Sequence, residues 1–72
     1  MPDLQMLQGH LKMVVGHIAL GLQSIGRQRA VIERLDAKGL DLVRANAVLL
    51  VLLEAQKQHE QHRDRLKLAL GL

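Results

Sequence analysis

An all-α fold, specifically an antiparallel two-helix hairpin, follows from three observations. Large aliphatic residues return every seven positions at Leu4, Leu11, Ile18, Ile25 and Ile32, with Leu7, Val14 and Leu35 interleaved. A second aliphatic-rich stretch follows the break Lys38-Gly39-Leu40-Asp41. A break that short obliges the two helices to run antiparallel.

Each element has its own local reason. Pro2-Asp3 suits a helix start, because Pro tolerates the first turn and a carboxylate is favourable near the positive end of the helix dipole. The first helix is expected over about 3–37, roughly 50 Å long at 1.5 Å per residue. Gly39 falls where a left-handed C-terminal cap is needed, in a turn spanning 38–41. Asp41 is the expected N-cap of the second helix, over about 42–69, which Gly71 ends. In this register, facing residues have numbers adding to about 77, so Leu35 meets Leu42, Ile25 meets Leu52 and Leu11 meets Leu66. The expected facing stripe of the second helix is Val48, Leu52, Ala55, His59, His62, Leu66 and Ala69.

The apolar pattern exceeds what one hairpin can cover. Met6, Gly9, Met13, Gly16 and Leu20 form another stripe with three- and four-residue steps on the first helix, and Ala47–Leu53 is apolar all round. A surface helix of a monomer should be polar there. Pairing of two coiled-coil-like hairpins into a four-helix bundle, a homodimer, is therefore expected, with an interface at Met6, Gly9, Met13, Gly16, Leu20, Leu49, Leu50 and Leu53. Gly9, Gly16, Gly21 and Gly26 within one helix cost roughly 4 kcal/mol relative to Ala. Close helix–helix approach over small residues is the expected offset, the alternative being a first helix kinked or frayed near Gly16–Gly26. Gln23, Gln28, Asn46 and Gln56 interrupt the apolar stripes, and a polar core residue such as Gln28 can fix register.

Composition narrows the function classes. The chain has 72 residues, 49% of them apolar, and a single core of that size is marginal without a staple or a second subunit. It has no Cys, so disulfides and thiolate metal sites are excluded. It has no Phe, Tyr or Trp, so bases cannot stack on aromatic platforms as in the usual single-stranded nucleic-acid binders. The net charge of +3 is concentrated after residue 26, with signs interspersed as on a solvated helix face, where Arg29–Glu33 and Asp64–Lys67 are candidate pairs. Asp3 with no early Lys or Arg argues against a secretory signal peptide. The uncharged runs Met13–Leu22 and Ala45–Leu53 fall well short of the roughly 20 residues a membrane span requires. A cytoplasmic location is the expectation.

Catalytic chemistry finds little support. Ser24 is the only hydroxyl side chain, so nucleophilic catalysis has no candidate triad, and no enzyme activity is expected. His59-Glu60-Gln61-His62 falls one residue short of the zinc-protease spacing. A site from His17, His59 and His62 with Glu60 nearby is geometrically conceivable, but the expectation is interfacial histidines, with no metal and no cofactor. Protonation of these histidines near pH 6 is a further way to loosen a bundle. His62-Arg63-Asp64 matches the kinase catalytic-loop triplet, without any other kinase element.

From Gly39 on, the residues Gly39, Asp41, Ala45, Leu49-Leu50, Glu54, His59 and His62-Arg63-Asp64-Arg65-Leu66 resemble a group of short uncharacterised bacterial proteins. Their shared pattern is a Gly-x-Asp turn and a terminal His-x-x-His-Arg-Asp-Arg-Leu. The resemblance covers the last half of the chain, extends weakly over Arg27–Leu35, and implies a helical hairpin without implying an activity. Leu42 and Val43 stand where small polar residues are common in that group, and residues 1–26 are less charged.

The functional expectation is a non-enzymatic, homo-oligomeric interaction module or small regulator, its partner a second copy or another protein. The alternative is an RNA-binding hairpin dimer with Arg27, Arg34, Lys57 and Arg63 against phosphates, by architectural analogy. A peripheral contact with anionic membrane through Met6–Leu20 is a third possibility.

Overall fold

The computed structural model describes residues 3–72. Helix α1 runs Leu4–Ala37 and helix α2 runs Val43–Ala69, and the two pack against each other along their length. The hairpin measures 57 × 15 × 15 Å.

The ends of α1 follow from local chemistry. Asp3 is the N-cap, and its carboxylate accepts the Gln5 and Met6 backbone N–H groups at 3.0 and 3.3 Å. Pro2, part of the expected start, lies outside the described residues. At the other end Gly39 adopts φ +68°, which lets Gly39 N–H donate to the Asp36 carbonyl and Leu40 N–H to the Leu35 carbonyl. These bonds satisfy carbonyls that the helix end would otherwise leave unpaired. Gly71, at φ +75°, repeats the device at the end of α2.

The start of α2 differs from expectation by one position. Leu42, already close to helical at φ −101° and ψ −2°, is the N-cap, and its carbonyl accepts from Asn46 N–H. Asp41 sits just outside and accepts only Val43 N–H, at 3.0 Å. Because Leu42 takes near-helical angles, the Asp41 carboxylate reaches one orphan donor, where a residue at the cap itself reaches the second or third helical N–H.

The seam of α1 is the expected one. Leu7, Leu11, Val14, Ile18, Gly21, Ile25, Gln28, Ile32 and Leu35 are all buried or half-buried, alternating steps of four and three. Leu4, at the open end, is exposed. The seam of α2 is rotated from expectation. Leu42, Ala45, Leu49, Leu52, Gln56, His59, Arg63, Leu66 and Leu70 are buried or half-buried, whereas Val48, Ala55, His62 and Ala69 are exposed. The apolar run around Leu50 is oily on every side and cannot choose a face by itself. The choice is made by Ala45, Leu66 and Leu70 further along, and it brings Gln56 and Arg63 into the seam in place of Ala55 and His62.

Both glutamines of the seam are tied across it. Gln28 Nε2 donates to the Ala45 carbonyl at 2.9 Å, and Gln56 Nε2 donates to the Ile18 carbonyl at 3.0 Å. Gln56 lies against Gly21, where a Cβ would overlap its Oε1. This is the one helical glycine whose missing Cβ makes room for a side chain within the hairpin. A Cβ added at Gly9, Gly16 or Gly26 would meet nothing within 4 Å, so close packing within the hairpin does not offset those three.

Candidate interaction surfaces

With the seam in place, every other position falls on one of two flanks or on a back. Along α1 the first flank carries Lys12, Val15, Ala19, Leu22, Gly26, Arg29, Glu33 and Asp36, again in steps of three and four. Along α2 it carries Val43, Asn46, Leu50, Leu53, Lys57, Glu60, Asp64 and Lys67. The two sets meet in an open hollow that Leu22, Gly26 and Arg29 line from α1 and Leu53, Lys57 and Glu60 from α2. The second flank carries Met6, His10, Met13, His17, Leu20, Arg27 and Arg34 of α1 with Arg44, Val48, Val51, Ala55, His62 and Arg65 of α2. Its own hollow is lined by Ala55, Gln58, His59, His62 and Arg65.

The expected interface residues are therefore dispersed. Met6, Met13 and Leu20 are exposed on the second flank, Gly9 and Gly16 on the back of α1, and Leu50 and Leu53 on the first flank. Leu49 is half-buried on the seam line, where α1 already covers much of it. No single flat contact reaches all eight positions. Sequence reasoning missed Leu22 and Val15, which are 59% and 48% exposed, although the step from Val15 to Leu22 is itself a heptad.

Both flanks are apolar, and charge is what separates them. Between the helix ends the first flank holds Lys12, Arg29, Lys57 and Lys67 against Glu33, Asp36, Glu60 and Asp64, a balanced set. The second flank holds Arg27, Arg34, Arg44 and Arg65, and among the described residues its carboxylates are only Asp3 and Asp41, at the helix starts. The candidate pairs Arg29–Glu33 and Asp64–Lys67 are not made. The ion pair among the described residues joins neighbours, Arg63 Nε to Asp64 Oδ1 at 3.0 Å. The four candidate phosphate contacts divide likewise: Arg27 and Arg34 share the second flank, Lys57 lies on the first, and Arg63 lies on the seam beside Asp64.

The histidines are only partly brought together. The His17 and His59 rings approach to 5.3 Å between centroids, tilted by 56°. His62 lines the hollow beside His59, while Glu60 turns to the opposite flank. Among the described residues no group of three His, Cys, Asp or Glu side chains is placed to hold a metal ion. Neither helix is long and apolar enough, within the described residues, to cross a membrane. Comparison of the chain with family models, curated proteins and solved structures returns no match.

Proposed function

We infer that this chain is a non-enzymatic interaction module that works by self-association, two hairpins packing side by side as a four-helix bundle. The observation that carries this reading is surface. The hairpin exposes 5622 Å², whereas a compact monomer of 8.0 kDa exposes about 4,450 Å². The excess, about 1,200 Å², is larger than the roughly 800 Å² each partner contributes to a standard stable interface. Much of it is oily, since Leu20, Leu22, Leu50 and Val51 are each at least 59% exposed. Apolar area on that scale in a soluble chain is a contact surface or an aggregation hazard. Sedimentation equilibrium across micromolar concentrations is the test. The expected mass is twice the 8.0 kDa of one chain; a single-chain particle persisting at high micromolar concentration rejects the reading.

A second reading, binding of structured RNA by the dimer, is favoured by one specific observation, the arginine-rich flank. Arg27, Arg34, Arg44 and Arg65 share one flank whose carboxylates, among the described residues, are only Asp3 and Asp41 at the helix starts, and an arginine-rich face of that kind suits phosphates. With about four phosphates neutralised, affinity for a labelled RNA hairpin falls roughly a hundredfold between 50 and 200 mM salt. Absent or salt-indifferent binding rejects this second reading and leaves the first untouched.

A further inference from the structure

We propose that the self-association face is the first flank, and that the occupant is a second copy of this chain lying antiparallel, α1 against α1. This rests on the self-association reading above and adds the face and the orientation.

Two copies meeting through the second flank would set arginines against arginines, because that flank has no carboxylates between the helix ends. Like charges in apposition cost affinity. The first flank has the opposite property and complements itself. Take a twofold axis crossing α1 between Leu22 and Gln23. Lys12 and Glu33 then lie equally far on either side of it, so each Lys12 meets Glu33 of the second copy, twice per dimer. Ala19 and Gly26 are likewise equidistant, so small residues face each other on both sides of a central Leu22 pair. A Cβ at Gly26 would meet nothing within the hairpin, so the notch there has no intramolecular cause. A helix backbone of the second copy fits that notch, as small residues let helix axes approach closely. Leu53 and Leu50 of α2 flank this line and extend the apolar strip toward the turn. The excess surface of the free hairpin is enough for such a contact.

The test uses the full chain and reads dimer dissociation by sedimentation equilibrium at low salt, with circular dichroism confirming that each variant stays helical. Lys12→Glu and Glu33→Lys each change an exposed residue, and each weakens the dimer about tenfold, because reversal creates two repulsive contacts per dimer. The double variant restores dissociation to within about threefold of the parent chain. Gly26→Leu leaves helicity intact and yields a single-chain particle, whereas Gly16→Leu, on the back of α1, leaves the dimer unchanged. A double variant that stays as weak as the singles, or a Gly26→Leu dimer as tight as the parent, overturns the assigned face while self-association stands. A parent chain that never dimerises overturns both readings together.

Discussion

The two glutamine layers of the seam look alike and are chemically different. Gln28 and Gln56 each send an amide N–H to a main-chain carbonyl of the opposite helix. Gln28 is half-buried, so its remaining polar atoms keep access to water. Gln56 is 5% exposed, and its Oε1 is buried without a partner, pressed into the space that Gly21 leaves open. A buried acceptor that finds no donor costs about 1–3 kcal/mol. One layer is thus nearly neutral, while the other is held at a cost and needs a particular residue opposite. A polar seam residue fixes pairing when a shift would leave it worse off, and the Gln56–Gly21 layer has that property more than the Gln28 layer.

The sharpest way to break this contrast is Gly21→Ala. The added Cβ displaces Gln56, which loses its bond to the Ile18 carbonyl and leaves a whole amide buried without partners. Against this stands a gain of about 1 kcal/mol in helix propensity. The expected net loss is about 2 kcal/mol by urea unfolding at fixed protein concentration. In a Gln56→Ala background the conflict is gone, and the same substitution should stabilise by about 1 kcal/mol. Equal effects in both backgrounds would show that the two residues are not coupled.

Gln56→Leu comes next in size and runs the other way. It removes the unpartnered oxygen and adds apolar burial, while the Ile18 carbonyl keeps its own helix bond. A gain of about 1–2 kcal/mol is expected from the rise in urea midpoint. A loss would mean that the amide bond to Ile18 outweighs the orphaned oxygen.

How much of this was legible in the residues depends on the helix. In α1 the seven-residue return of Leu and Ile sets the seam without ambiguity, and Gly39 marks the turn because the positive φ there suits glycine. In α2 the run Ala47–Leu53 is apolar on every side and gives no phase, so apolar bias favours Ala55 and His62 over Gln56 and Arg63. That bias turns the polar half of α2 by one position and hides the charge pattern of both flanks, since each flank is defined relative to the seam. Gly21 opposite Gln56 was the available signal: a helical glycine directly across from a long polar side chain marks a packed layer. The orphaned oxygen of Gln56 depends on rotamer and burial, and no spacing rule encodes it.

Glycines elsewhere on α1 sharpen the comparison with Gly21. Gly9 and Gly16 have open space where a Cβ would go. Alanine at either should therefore add about 1 kcal/mol of stability through propensity alone, measured by the same unfolding. Destabilisation at Gly16 would reveal a neighbour packed on the back of α1, and would move the contact surface away from the first flank.

The smallest effect belongs to Gln28→Leu, and its smallness is informative. The change removes one cross-seam bond, worth about 0.5–1.5 kcal/mol net, and adds apolar area at a position that is only half-buried. These terms oppose each other and nearly cancel, so a shift within about 0.5 kcal/mol is expected. The comparison with Gln56→Leu controls for side-chain chemistry, because the same atoms are exchanged in the same kind of seam position. Burial, the facing residue and the orphaned oxygen differ between them. If Gln28→Leu stabilises as strongly as Gln56→Leu, apolar replacement anywhere along the seam is favourable, and the Gly21 layer loses its special cost. If the two separate as expected, deeper burial together with the unpartnered oxygen accounts for the difference, and Gly21 is the residue that makes room for it.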